Sequence, residues 1–186
     1  AFGIRHGNLI TVHAATADQN PVDGSPPGRK GGDLRLARAT IGNMISTKTG
    51  AAKSVTEVLP QLKGRFDGTS IRVPTADVSY CHLTFDVERP TTVQEVVEVL
   101  VRAAEDPSYH GVLAVTREPL VSVDFVHDPH SSIVDLAPPR DDPSGFELVK
   151  VIDGTQVIIA VWYDNEWGYA NRMVDLLAYV VGPTLE

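Results

Sequence analysis

A single cysteine, Cys81, among 186 residues excludes an intrachain disulfide and any zinc site built from several thiolates. It is compatible with a reducing compartment. Cations are scarce as well: 16 Lys and Arg face 24 Asp and Glu, a formal net charge of −8. With no segregated basic patch, an acidic surface of this kind repels phosphate backbones, and no nucleic-acid partner is expected. No apolar run reaches the ~18 residues of a membrane span, and no charged head with an apolar body opens the chain, so no membrane association is expected. No G-x-G-x-x-G turn follows a strand-like run, so nothing here binds a dinucleotide by itself. Internal repeats and low-complexity tracts are absent too. The chain opens on Ala1 with no methionine, which points to a processed chain or an excised piece of a longer one.

What is present is an ordinary globular composition, 42% hydrophobic and 22% charged, in one domain large enough to bury its own core. Short β-branched or alternating runs predict strands over 8–14, 70–74, 78–87, 111–115, 133–135, 148–153 and 156–162. In the longest of these, 78–87, Cys81, Leu83, Phe85 and Val87 share one face. Asp153-Gly154 reads as a hairpin turn between neighbouring strands. Ala51–Leu59 reads as a short helix stopped by Pro60, and Thr92 with Glu95 has the spacing of a capping box opening a helix to about Glu105. A last helix is expected from Asn165 to Val180, with Met173, Leu176, Leu177 and Val180 facing inward. Residues 20–32, rich in Pro and Gly, read as a long loop. A hairpin, and helices without a regular β-α-β beat, imply an α+β fold: a mainly antiparallel mixed sheet with helices on one face.

Taken singly, the chemical signals are weak. By spacing alone His13 reads as a structural histidine on a strand. His127-Asp128-Pro129-His130 gathers two imidazoles and a carboxylate, but Pro129 forbids regular helix geometry and no third ligand is marked, so a polar turn is expected and no metal. Cys81, on the apolar face of its strand, reads as a buried inert thiol. Thr49-Gly50 before a helix suits an anion, and ordinary capping explains it equally well. Arg72, on an otherwise apolar strand, requires a charged partner or an anionic ligand.

Taken together, ordered segments carry more. Thr11-Val12-His13-Ala14-Ala15-Thr16-Ala17-Asp18-Gln19, Thr49-Gly50-Ala51-Ala52-Lys53, Ile71-Arg72-Val73-Pro74-Thr75, Asp128-Pro129-His130-Ser131-Ser132 and Trp162-Tyr163-Asp164-Asn165-Glu166-Trp167-Gly168-Tyr169 follow in this order. Over nearly its whole length the chain resembles the catalytic, C-terminal domain of the phosphorylating glyceraldehyde-3-phosphate dehydrogenase family. The resemblance implies that His13 is the catalytic base, that Thr16 and Arg72 bind the substrate's phosphate, and that Thr49 and Gly50 bind inorganic phosphate. It further implies that Asn165 holds the nicotinamide amide of NAD, with Tyr169 packed near the ring. A cytoplasmic, glycolytic oxidoreductase acting on a phosphorylated aldehyde and inorganic phosphate, self-associating to a dimer or tetramer, is the expectation.

The departures from the family's pattern are equally specific. Its S-C-T-T-N segment with the nucleophilic cysteine and its glycine-rich NAD domain do not occur in residues 1–186, so this chain alone is expected to be inactive and to carry no NAD. Cys81 falls in the strand after R-V-P and does not replace the nucleophile. Asp18 stands where a second phosphate-contacting threonine is common, Leu36 interrupts the usual R-R-A-R to leave Arg35 and Arg38, and Ser46-Thr47-Lys48 replaces Pro-x-Ser/Thr. Erythrose-4-phosphate dehydrogenase is the runner-up on Pro119–Phe125 and the H-D-P-H-S region, with NADP as a further cofactor option. A non-catalytic assembly module of the same fold is the alternative from another class.

Overall fold

The computed structural model describes residues 1–26 and 32–182. Among the described residues, eight strands and three α-helices form one mixed sheet with helices on one face: β1 Ile4–Ala14, β2 Ile45–Lys48, α1 Ala51–Val58, β3 Phe66–Val73, β4 Ser79–Val87, α2 Val93–Glu105, β5 Leu113–Thr116, β6 Ser132–Asp135, β7 Val149–Ile152, β8 Gln156–Tyr163 and α3 Asn165–Val181. The strand order is β2-β3-β1-β4-β8-β6-β5, with β7 pairing β8 beside β6. Only β1 with β3 and β5 with β6 run parallel; the other pairs are antiparallel. The α+β reading therefore holds.

Local chemistry accounts for the elements. Thr92 accepts from the Glu95 N–H while the Glu95 carboxylate accepts from the Thr92 N–H, the reciprocal pair that opens α2. Asp153 and Gly154 both take positive φ, 49° and 70°, and turn β7 into β8. The Pro- and Gly-rich stretch stays free of helix and strand over 20–26, its residues 27–31 lie outside the described residues, and a 3-10 turn follows over Leu34–Ala37. β1 begins four residues earlier than its hydrophobic run, because Ile4 and His6 still find ladder partners in Val87 and Asp86 of β4.

The core lies between the sheet and the helices, with Leu9, Phe66, Cys81, Val96, Val97, Val134, Leu136 and Val161 all buried. Gly7 lets the Phe66 and Phe85 rings stack across it, centroids 6.0 Å apart; a Cβ there would sit 2.6 Å from the Phe66 ring. The inward-facing stripe expected on α3 is overturned. Met173, Leu176, Leu177 and Val180 are 48–72% exposed, and only Gly168 of that helix is buried. The helix is fastened through its first two turns. Arg172 donates to the Gly111 carbonyl at 2.6 Å, and Gly168 lies against the His130 carbonyl. Its apolar residues beyond have no covering element among the described residues, so amphipathic spacing here marks a face rather than a buried one.

Candidate functional site

Strand register assembles the site. Arg72 of β3 pairs with His13 of β1 on one side and Ile45 of β2 on the other. Paired positions share a face, so the histidine and the guanidinium emerge together at the end of β1. The Arg72 Nη1 lies 3.1 Å from His13 Nδ1, and donates to the Thr16 hydroxyl at 3.1 Å and the Ala14 carbonyl at 3.3 Å. Residues 59 positions apart are thereby in contact.

The tautomer of His13 follows from its neighbours. Nδ1 sits 2.7 Å from the Ala14 carbonyl oxygen, a separation that requires a proton between them. Nδ1 is therefore the donor, it cannot also accept from Arg72, and Nε2 is left with its lone pair. Burial pushes the His13 pKa below its usual 6.5; the bond to Ala14 raises it, Arg72 lowers it and Glu166 raises it. The ring is thus neutral near pH 7, the state a general base needs. Tyr163 stands edge-on to it, centroids 6.1 Å apart at 74°, with its own hydroxyl pushed up to about 12 by burial.

Thr16 is held from behind. Gln19, itself buried, accepts from the Thr16 N–H at 2.9 Å and from its hydroxyl at 3.2 Å. On the other flank, Ser79 accepts from the Ala14 N–H at 3.2 Å and donates to the Asn165 side-chain oxygen at 2.6 Å. The Asn165 amide nitrogen is 3.4 Å from Asp77, and Asp164 beside it accepts from the Trp167 and His127 N–H groups at 2.7 and 2.9 Å. Val78 enters this corner with φ 64°, strained for a β-branched residue and held by burial against Phe125 and Ile133. Ser79 lies in no quoted segment, and Gln19 and Asp164 lie in quoted segments without a role of their own; for Asp164 the available signal was an aspartate just before a helix.

The residues expected to bind phosphate divide into two groups. His13, Thr16 and Arg72 meet; Thr49 and Gly50 have no hydrogen bond to them among the described residues. Lys48 pairs with Thr69, so the end of β2 lies three residues along β3 from Arg72, roughly 10 Å at ~3.3 Å per residue. The Thr49 hydroxyl already accepts from the Ala51 N–H at 3.1 Å, and Gly50 caps α1 without a side-chain bond. Tyr169 is exposed on α3. Below Arg72 opens a cleft of about 520 Å³ lined by Asp18, Gln19, Asp33, Arg35, Leu36, Thr47, Lys48 and Arg72.

Cys81 is buried and on the same face as Thr11, its ladder partner. Burial alone pushes its thiol up to about 11, with no cation to favour the thiolate. The His127–His130 segment is a turn in which His130 Nδ1 meets Asp128 at 2.7 Å. Three carboxylates, Asp77, Asp164 and Glu166, come together near Asn165. No helix among the described residues is long and apolar enough to cross a membrane.

Comparison with known proteins bears on the whole chain. Residues 1–165 match the family described as glyceraldehyde 3-phosphate dehydrogenase, C-terminal domain. A glyceraldehyde-3-phosphate dehydrogenase of Zymomonas mobilis is 47% identical over 177 residues, 95% of this chain and 48% of that protein. The cytosolic enzyme of that name from Chlamydomonas reinhardtii is 47% identical over 179 residues, 96% of this chain and 48% of its own length. In Streptomyces avermitilis, glyceraldehyde-3-phosphate dehydrogenase 1 is 45% identical over 185 residues, 100% of this chain and 50% of that protein. The chain thus spans about half the length of the curated relatives it matches.

Proposed function

Since the chain belongs to the family of the glyceraldehyde 3-phosphate dehydrogenase C-terminal domain, we propose that it supplies the general base and the phosphate-binding wall of a cytoplasmic, glycolytic dehydrogenase. The reaction converts glyceraldehyde 3-phosphate and inorganic phosphate to an acyl phosphate. The supporting observation is the contact of Arg72 with His13 and Thr16 at 3.1 Å, set up by the β1–β3 register for His13 and by the Gln19 bonds for Thr16.

Within that reading each residue has a defined task. His13 Nε2, the free lone pair of a neutral ring, takes the proton of a nucleophilic thiol supplied from outside residues 1–186. The imidazolium so formed then donates to the oxygen that becomes negative as the carbonyl is attacked. The Arg72 guanidinium and the Thr16 hydroxyl hold the phosphate ester, a planar donor fork against a dianion. Thr49 and Gly50 at the start of α1 receive the second phosphate.

Asn165 fits a carboxamide. Its oxygen accepts from Ser79, its nitrogen reaches Asp77 over a long 3.4 Å, and one N–H remains to donate. Asn165 would therefore hold the nicotinamide amide of NAD, with Tyr169 beside the ring, and the dinucleotide when bound supplies the hydride acceptor. The protein self-associates, in this reading, to a dimer or tetramer.

The test uses the chain as it stands. Glycerol 3-phosphate, a phosphate ester, should perturb the NMR signals of Arg72 and Thr16, and Arg72→Ala should abolish the effect. With aldehyde, phosphate and NAD, no NADH should form. Turnover that survives alkylation of Cys81, or glycerol 3-phosphate binding indifferent to Arg72→Ala, would overturn the proposal.

A further inference from the structure

The two halves of the site meet at one hydroxyl. β1 and β4 pair only as far as Val12 with Tyr80, so the Ala14 N–H finds no ladder acceptor on β4. The Ser79 side chain takes that place, its oxygen accepting from the Ala14 N–H at 3.2 Å. The same hydroxyl donates to the Asn165 side-chain oxygen at 2.6 Å. Ser79 is 1% exposed, so bulk water does not compete for either bond.

A serine hydroxyl has one proton to give. Here it goes to Asn165, and that decides how the amide lies. Turned over, Asn165 would set its oxygen 3.4 Å from Asp77 Oδ1, which already accepts from the Val78 N–H at 2.6 Å. Two acceptors would then face each other, and the Ser79 proton would point at an amide nitrogen. Only the orientation with oxygen toward Ser79 satisfies both neighbours, and it leaves an Asn165 N–H free to donate.

The other side of the hydroxyl reaches the imidazole. Ala14 is held at both of its polar backbone groups: its N–H by Ser79, and its carbonyl as acceptor for His13 Nδ1 at 2.7 Å and Arg72 Nη1 at 3.3 Å. Asn165, Ser79, Ala14 and His13 thus form one hydrogen-bonded series from the start of α3 to the end of β1. We propose that Ser79 is a positioning residue for both ends of this series. It fixes the Asn165 amide with its nitrogen toward a ligand, and it fixes the carbonyl that keeps the His13 proton on Nδ1. The inference rests on reading Asn165 as the holder of a nicotinamide amide and His13 as the base. To that reading it adds Ser79, and the dependence of each end on the other.

The experiment is NMR on the free 186-residue chain, with side-chain amide and imidazole nitrogens labelled. Ser79→Ala should split or broaden the single Asn165 side-chain amide signal as both orientations become populated. Ala14 amide exchange should quicken about 10-fold with the loss of a buried bond, and part of the His13 population should shift its proton to Nε2. Ser70→Ala is the control. It removes an equally buried hydroxyl, bonded to Thr11 at 2.8 Å, and should leave the Asn165 and His13 signals in place. Asn165→Ala, at a half-buried helix start, reads the series from the other end and does not depend on Ser79→Ala folding. It should move the Ala14 and His13 signals, although neither residue is hydrogen-bonded to Asn165. A Ser79→Ala chain that melts earlier yet keeps one Asn165 orientation and the His13 tautomer would overturn the inference, as would the same changes in Ser70→Ala. An Asn165→Ala chain with unmoved His13 signals would overturn the link between the two ends. None of these results touches the dependence of glycerol 3-phosphate binding on Arg72, whose failure would instead overturn the proposed function.

Discussion

Replacing Asp164 tests whether the corner holding Asn165 is built as described. Its carboxylate is buried, caps α3 through the Trp167 N–H at 2.7 Å, and accepts from the His127 N–H at 2.9 Å. Asp164→Ala removes a helix cap and strands two part-buried donors. A lost cap costs about 1 kcal/mol, and each orphaned N–H about 1–3 kcal/mol, partly the same loss. Against this, removal relieves repulsion from Asp77 and Glu166, which gather near it. With partly exposed partners that relief is worth about 1 kcal/mol at most. The net expectation is a loss of ~2–3 kcal/mol, or a Tm lower by roughly 5–10 °C for a chain of this length. Asp164→Asn keeps one acceptor oxygen and should lose about half as much. Thermal melts by circular dichroism at pH 7 provide the measurement. A Tm drop under about 2 °C for Asp164→Ala would refute the account of the corner, because it would mean that water serves both donors equally well.

Two further outcomes follow from geometry already described. The His13 ring should titrate below 6.5 in an NMR pH series, and Arg72→Ala should move its midpoint upward; because the folded state holds this proton less tightly than the unfolded chain, His13 should cost stability as pH falls from about 6.5 toward the lowered midpoint, and add no pH dependence well above 6.5. Gly50 has α-region φ and ψ of −80° and −15° with no atom within 4 Å of a would-be Cβ, so Gly50→Ala should raise stability by about 0.4–1 kcal/mol in urea melts; a loss would show that backbone freedom is needed there.

How much of this was legible beforehand depends on the range of the interaction that decides it. The Thr92–Glu95 box and the Asp153-Gly154 turn are settled within four residues, and both could be read directly. The burial of α3 could not, because spacing shows which side chains share a face and not whether anything covers it. Met173 and Leu177 lie on such a face and stay exposed. The pairing of His13 with Arg72 is a parallel register between strands 59 residues apart; no local pattern encodes it, and only the resemblance brought the two residues into one site. The supporting roles of Gln19 and Ser79 could not be read, since one buried amide and one hydroxyl have no spacing signature.

The bond from His13 Nδ1 to the Ala14 carbonyl has a bearing on inheritance. In many catalytic histidines the distal nitrogen is oriented by a carboxylate or another side chain, which a single codon change can delete. Here the acceptor is a peptide oxygen of the very next residue, present whatever amino acid position 14 encodes. No missense change elsewhere in the chain removes it without distorting the end of β1. The side chains around the imidazole can therefore change while its protonation pattern passes on unaltered.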